Sequence, residues 1–390
     1  MSVFDDSERD DLGPRLYAQP DFNYLNASAR PGVQAIRQAI ETWFVRYPNG
    51  HRAELRSRLR SEDNYQHRSA FFELFLHELL LKLGCNVEVH PQIVGVARRP
   101  DFRVRSQQGQ TCYLEAVLAS DETREESAAN ARMNQVYDAL NRLDSPYFYI
   151  GMNLGGAPAT PPSARNMRRF LSDHLAQVNF NEIAELFRLG GFLALPHWQY
   201  QHDGWTIDFY PLPKSDQARG RAGIRPIGIQ REPMKLLQTR EAIRDSVLEK
   251  SGRYGVLGQP YIVAVNVLSD HVDRIDVMEA LFGFEEFRYR PCVPLPQQPE
   301  FARAPNGAWF GPAGIQNTRV SAALIFPNLS QSSICWTAPC IYHNPWTTHP
   351  YGGELNRLNR GVPRDARRMD FHDGESLRSI FELPEQWPGE

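Results

Sequence analysis

The sequence predicts an α/β fold in which a mixed sheet is flanked by helices. Three observations support this class. A helix that is apolar on almost every side is predicted at 67–83, and a buried helix of this kind needs a sheet or other helices around it. Two strand patterns follow at 100–104 and 111–118. In the second half, an apolar strand at 260–268 lies between helices predicted at 239–253 and 272–282, which extends the alternation of helix and strand. Further strands are predicted at 205–211, 320–326 and 334–343.

Composition is that of a soluble globular protein. The 390 residues are 42% hydrophobic and 23% charged, and no apolar run approaches the length of a membrane span. Five cysteines, an odd number, favour a reducing compartment, and the acidic N-terminus has no signal-peptide pattern. We therefore expect a cytoplasmic protein. The net charge of −3 does not by itself indicate nucleic-acid binding, although a local basic face would suffice.

The length predicts either two domains or one elaborated domain. We divide the chain into an irregular and helical N-terminal region (1–62), a core (63–215) and a C-terminal α+β region (216–390). Whether the C-terminal region widens the sheet of the core or builds a second domain is left open by the sequence.

The polar residues of the 67–83 helix fall into two sets. Glu78 and Lys82 are four residues apart and are predicted to pair on a solvent-facing edge. Glu73 and His77 are also four apart, but they lie about 140° around the helix from that edge at 100° per residue. We therefore expect Glu73 to point into the structure.

Two carboxylates on adjacent strands are the most informative feature. Asp101 begins one predicted strand and Glu115 lies inside the next, while 106–110 (SQQGQ) predicts the hairpin turn between them. A lone carboxylate in an apolar strand is costly to bury, and two neighbouring carboxylates repel each other unless a cation lies between them. A hard divalent ion with oxygen ligands is the usual solution. The pair predicts a Mg²⁺ site.

With these residues, the chain resembles the PD-(D/E)xK nuclease superfamily over about residues 65–155. The matching features are Glu73 on the first helix, Asp101 in a Pro-Asp pair, and Glu115 followed by Ala116. The resemblance implies a restriction-endonuclease-like sheet and a catalytic centre of Glu73, Asp101 and Glu115. It also implies that these three residues and the carbonyl of Ala116 hold Mg²⁺ or Mn²⁺.

The resemblance further implies hydrolysis of nucleic-acid phosphodiester bonds, with DNA favoured over RNA, in bacterial defence or DNA processing. Arg98, Arg99 and Arg103 are the candidate nucleic-acid contacts, since they surround Asp101 in sequence. A homodimer or a protein partner is compatible with such families. The overall layout, including 280–283 and 344–346, is also similar to that of a group of uncharacterised bacterial proteins, which implies no activity.

One position departs from the superfamily pattern. The lysine expected two residues after the second acid is Val117 here. Arg103, Arg132 and Gln135 are the candidates for a side chain that reaches the same point from another element. The departure also favours an alternative, a catalytically inactive nuclease-like scaffold or nucleic-acid-binding protein. A third possibility is a structural or interaction protein without nuclease ancestry, in which Asp101 and Glu115 would diverge.

Overall fold

A computed structural model describes residues 1–221, 225–231, 238–269, 271–289, 298–365 and 368–389. The described residues contain ten α-helices. They are α1 (Asp21–Ala27), α2 (Pro31–Arg46), α3 (Arg52–Leu59), α4 (Asn64–Lys82), α5 (Arg124–Leu140), α6 (Ala164–Leu175), α7 (Phe180–Gly190), α8 (Thr239–Ser251), α9 (Arg274–Phe282) and α10 (Leu377–Phe381). None of them is long and apolar enough to cross a membrane.

The strands of the described residues are sixteen in number. They are β1 (Asn86–Val89), β2 (Phe102–Arg105), β3 (Thr111–Ala119), β4 (Phe148–Gly155), β5 (Trp198–His202), β6 (Trp205–Pro213), β7 (Ile227–Arg231), β8 (Tyr261–Val267), β9 (Glu285–Arg288), β10 (Glu300–Arg303), β11 (Phe310–Gly311), β12 (Gly314–Ile315), β13 (Ala322–Pro327), β14 (Cys340–His343), β15 (Asn359–Pro363) and β16 (Met369–His372).

The chain forms two compact units. The first consists of Met1–Gly13, Pro20–Asp121 and Gln238–Glu390, and the second consists of Pro14–Gln19 and Glu122–Leu237. This division differs from the three consecutive segments that we predicted. The reason is strand pairing: β3 pairs with β8, which lies more than a hundred residues later, so the intervening segment folds as a unit of its own.

The first unit contains an eight-stranded mixed sheet of order β1-β2-β3-β8-β13-β14-β15-β16. The α/β class is therefore confirmed, and the C-terminal region widens the sheet of the core. β3, β8 and β13 run parallel, whereas β1, β2 and β3 form an antiparallel meander. The predicted hairpin turn is present: the Ser106 N–H donates to the Gln110 carbonyl over 2.8 Å, and Gly109 has φ +88°.

Helices cover both faces of this sheet. Leu114 and Leu118 of β3 belong to a core that includes most of the apolar side chains of α4. Tyr113 and Val117 face the other way and pack in a second core with Ile243 and Val247 of α8. Alternate residues of β3 therefore meet different helices, as the period of two in a strand requires.

Two predictions about individual elements are wrong. Glu78, predicted to face solvent, is only 1% exposed and pairs with Arg46 of α2 over 2.6 Å, because α2 packs on this side of α4. The strand predicted at 334–343 covers only Cys340–His343. Pro339 immediately precedes it, and a proline has no N–H to donate to a ladder.

The second unit has its own four-stranded sheet of order β5-β6-β4-β7 and its own apolar cores. β6 is the central partner of β5 and β4, both antiparallel. Trp205, Ile207 and Phe209 are fully buried on one face of β6, which matches the strand predicted from Trp205.

Candidate functional site

Asp101 and Glu115 lie opposite each other. The register of the antiparallel pair β2/β3 joins Phe102 to Leu114, so the next pair along the ladder is Asp101 with Glu115. The ladder between β1 and β2 also continues to this point, because the His90 N–H donates to the Asp101 carbonyl over 2.8 Å. Residues directly opposite in such a pair have Cβ atoms about 5 Å apart and side chains on one face. This register argues against the divergence that we expect of an unrelated structural protein.

The backbone of Ala116 faces the same carboxylate. On β3, the Tyr113 N–H donates to Pro260 and the Ala119 carbonyl accepts from Leu268, so the odd-numbered residues direct their backbone groups toward β8. By alternation, the N–H and carbonyl of Ala116 point toward β2. The Ala116 N–H donates to Asp101 Oδ2 over 2.7 Å. The carbonyl of Ala116 is therefore on the side of the strand where Asp101 lies.

Glu115 is 3% exposed and is held by three side chains, one from the last turn of α8 and two from the turn that follows this helix. Arg253 Nη1 lies 2.9 Å and Lys250 Nζ lies 3.3 Å from its Oε1 atom. The hydroxyl of Tyr254 donates to Oε2. Both oxygens of the buried carboxylate are thus engaged, and two positive charges balance it.

Lys250 was missed by the sequence analysis. Val117, at the position where the superfamily has its lysine, packs into the core beneath α8. Lys250 extends from that same helix to the carboxylate two residues before Val117, and it is only 8% exposed. The three side chains predicted as replacements for this lysine have other surroundings. Arg103 pairs with Glu88. Arg132 donates to the Pro158 carbonyl, and both Arg132 and Gln135 belong to the second unit.

Glu73 points into the structure, as predicted, and is 4% exposed. Its carboxylate accepts hydrogen bonds from the Tyr47 hydroxyl and from Arg58 Nη2, the latter over 2.5 Å, and His90 Nε2 lies 3.5 Å away. Burial alone would raise the pKa of Glu73. The contacts with His90, Arg58 and Tyr47 outweigh burial and lower this pKa to about 2, while the hydrogen bond to Glu73 raises the pKa of His90.

His77, one turn along α4 from Glu73, has a different environment. Its ring packs 4.9 Å from the ring of Tyr47, and burial lowers its pKa to about 4. Within the described residues, Nδ1 of His77 is buried without a hydrogen-bond partner. His77 is therefore neutral near pH 7, and it packs beside Tyr47 without adding a positive charge near Glu73.

The structure does not gather all three acids around one point. Among the described residues, no group of three or more His, Cys, Asp or Glu side chains is arranged to hold a metal ion. The physical reason is the sheet: Glu73 comes from α4 on one face, whereas Glu115 faces α8 on the other. Asp101 and Glu115 are brought together, and a metal-binding role of Glu73 stays a prediction.

Asp101 differs from Glu73 and Glu115, because among the described residues each of those two acids is paired with positively charged side chains and Asp101 is not. Burial, followed by the charges of Glu115 and Glu73, raises the pKa of Asp101 to about 8. Its hydrogen bond from Ala116 opposes this rise only in part. Within the described part of the chain, no lysine, arginine or histidine forms an ion pair with Asp101. A cation close to this carboxyl group would stabilise its ionised form and lower its pKa.

This raised pKa predicts how stability depends on pH. Between the ordinary value of 3.8 and about 8, the native protein keeps a proton on Asp101 that the unfolded chain releases. Stability should therefore fall as pH rises through this range. Asp101→Asn should remove that part of the slope and should be more stable than the wild type above pH 8. Urea unfolding from pH 5 to 9 measures both, with Asp245→Asn as an exposed control. Equal slopes in Asp101→Asn and the wild type would contradict the assignment.

The candidate nucleic-acid contacts have different surroundings. Arg98 and Arg99 are exposed in the loop between β1 and β2 that ends at Asp101. This loop is tied to the site, since the Tyr254 hydroxyl that donates to Glu115 lies 3.2 Å from the Arg99 carbonyl. Arg103 is on the Asp101 face of β2, but its charge is paired with Glu88 on β1. Arg98 and Arg99 are thus the better placed of the three.

The donor set fits a hard divalent cation in part. Two carboxylates and one backbone carbonyl are oxygen ligands of the kind that Mg²⁺ and Mn²⁺ take. In favour is the carboxyl group of Asp101, which lies next to Ala116 and has no ion-pair partner among the described residues; against is the engagement of both Glu115 oxygens. Comparison of the chain with protein-family models, with curated proteins and with solved structures gave no match.

Proposed function

We propose that this protein is a metal-dependent nuclease whose centre is built from Asp101, Glu115 and the carbonyl of Ala116, with Lys250 as the lysine of the site. The observation that carries the proposal is the position of Asp101. It is partly buried, directly opposite a buried glutamate and without a cationic partner among the described residues. The substrate would be a nucleic-acid phosphodiester, and DNA is favoured on the resemblance alone.

Each residue has a definable task in this proposal. Asp101, Glu115 and the Ala116 carbonyl would hold Mg²⁺ or Mn²⁺. A cation bound there would lower the pKa of a water molecule and offset the charge that develops on the phosphate. Lys250, beside Glu115, would stabilise the same developing charge. Arg98 and Arg99 would hold the flanking phosphates of the strand.

A second candidate function is supported by a specific observation. Lys250 and Arg253 already balance the charge of Glu115, and Arg58 and His90 already surround Glu73. A protein that kept the nuclease-like sheet but no longer bound a metal ion would need positively charged side chains of this kind to balance the buried carboxylates. It would act as a scaffold or bind nucleic acid without cleaving it.

Cleavage of supercoiled and single-stranded DNA in Mg²⁺ or Mn²⁺ tests the proposal. We expect cleavage by the wild type, and at least about a hundredfold loss in Asp101→Asn and Glu115→Gln, because each removes a charge that the transition state needs. Glu88→Gln is the control, since Glu88 is a half-exposed carboxylate on the neighbouring strand β1. Circular dichroism confirms that each variant is folded.

The outcomes separate the two functions. Cleavage that survives in both carboxylate variants would place the activity elsewhere in the preparation. If the folded wild type cleaves neither DNA substrate nor RNA, the scaffold function becomes the better account. In that case filter binding of the same nucleic acids shows whether the binding part of the alternative holds.

A further inference from the structure

The guanidinium of Arg253 joins a buried carboxylate to an exposed one. Nη1 lies 2.9 Å from Oε1 of Glu115, and Nη2 lies 2.8 Å from Oε1 of Glu249 on the last turn of α8. Glu115 is almost inaccessible, whereas the side chain of Glu249 is 61% exposed. Arg253 itself is 29% exposed and follows the end of α8 in a turn. Its charge is therefore at the boundary between the site and solvent.

Lys250 and Arg253 both contact Oε1 of Glu115, but only one of them can easily move away from it. Lys250 is buried at 8% exposure within α8. Arg253 has a solvent-facing partner in Glu249 and lies outside the helix. A divalent ion that takes Oε1 of Glu115 needs the lone pairs that these donors occupy, and it repels their positive charges. Lys250 Nζ also lies 3.8 Å from Oε1 of Glu249, but Lys250 is buried, whereas Arg253 is 29% exposed and lies only 2.8 Å from the same oxygen. Of the two side chains, Arg253 is therefore the one that can turn toward solvent while it keeps its hydrogen bond to Glu249.

We infer that Arg253 is a phosphate-binding residue of this site, and that it exchanges Glu115 for a phosphate oxygen of the nucleic acid when a cation occupies the carboxylates. The inference rests on the proposed function. A planar guanidinium is well suited to this exchange, since it binds carboxylate and phosphate with the same paired donor geometry. Without the cation, Arg253 covers Glu115; with the cation, its contact with Glu249 keeps it beside the site.

Metal binding gives the first test, without any reliance on activity. Arg253→Gln removes a positive charge that competes for Glu115, so Mn²⁺ should bind about tenfold more tightly than to the wild type. Arg244→Gln is the matched control, because Arg244 lies on the adjacent helix α8, has 28% exposure and pairs with an exposed aspartate. Isothermal titration calorimetry with Mn²⁺ measures all three proteins. Unchanged or weaker binding by Arg253→Gln would overturn the competition for Glu115.

Nucleic-acid binding gives the second test. With Ca²⁺ in place of Mg²⁺, Arg253→Gln should bind a fluorescent duplex about tenfold more weakly than the wild type, and in EDTA the two should bind equally. Equal binding in both buffers would overturn the exchange to phosphate. Failure of the proposed function looks different: the wild type itself would bind no Mn²⁺, or would bind Mn²⁺ without any gain in duplex affinity from Ca²⁺.

Discussion

Replacing Arg58 with methionine should lower the free energy of unfolding by about 3 kcal/mol, the lower end of the range for breaking a buried ion pair. The side chain of Glu73 is 5% exposed, and Arg58 is its only arginine partner among the described residues. Once Arg58 is gone, His90 and Tyr47 still contact the carboxylate, which is why we expect the lower end of the range. Equilibrium unfolding in urea measures the change.

The control uses the same arginine. Arg58 also pairs with Glu54, one turn away on α3, whose side chain is 61% exposed. Glu54→Gln should cost less than about 1 kcal/mol, because exposed pairs contribute little. Adding Glu73→Gln to Arg58→Met should recover most of the loss, since an uncharged amide tolerates burial better. A loss in Arg58→Met no larger than that in Glu54→Gln would contradict this account.

The same variants have a defined pH signature. Because the native pKa of Glu73 is about 2 and its ordinary value is 4.5, the carboxylate contributes stability above pH 4.5 that is lost as pH falls toward 2. Without Arg58, acid unfolding should begin at a higher pH. Glu73→Gln also tests the role implied by the family resemblance. If Glu73 is structural, Mn²⁺ affinity should be unchanged in that variant, whereas a metal ligand would lose affinity.

Much of the site could be predicted because its parts are local in sequence. The helix around Glu73 is apolar on nearly all sides, which identifies it as buried. The hairpin from Asp101 to Glu115 is short, and its Gly-containing turn fixes the register that sets the two acids opposite each other. The surroundings of Glu73 are less local: its carboxylate contacts Tyr47 and Arg58 from the N-terminal region, and its metal-binding role stays a prediction.

The residues around Glu115 could not be predicted in the same way. Lys250, Arg253 and Tyr254 are about 135 residues later in the chain, beyond a whole inserted unit. A signal was nevertheless available. A parallel pairing of β3 with β8 requires a crossover, and the helix that precedes β8 then packs on the face of both strands. With that pairing assigned, the end of the predicted 239–253 helix would have been the place to look for the missing lysine.

Replacing Lys250 is expected to have the second large effect, on the rate of cleavage. Under the proposed nuclease function, Lys250→Met should reduce the rate of DNA cleavage by about 10²–10³-fold, the usual result of removing one preorganised donor for transition-state charge. Glu115 keeps Arg253 and Tyr254 in this variant, so we expect it to fold. Substrate binding should change little, because the ammonium is buried against Glu115 and the loss falls on kcat.

Two further variants make the assignment specific to this lysine. Lys82→Met is the control: Lys82 is in the same unit, but it pairs at the surface with Glu382 and should leave cleavage unchanged. Lys250→Arg tests whether charge alone is sufficient. A guanidinium is larger and has a fixed donor plane, so a position that requires a compact ammonium should regain only part of the rate. Full activity in Lys250→Met would remove Lys250 from the mechanism. Arg253 would then be the only remaining cationic candidate at Glu115 among the described residues, and Arg253→Gln would have to lower kcat instead.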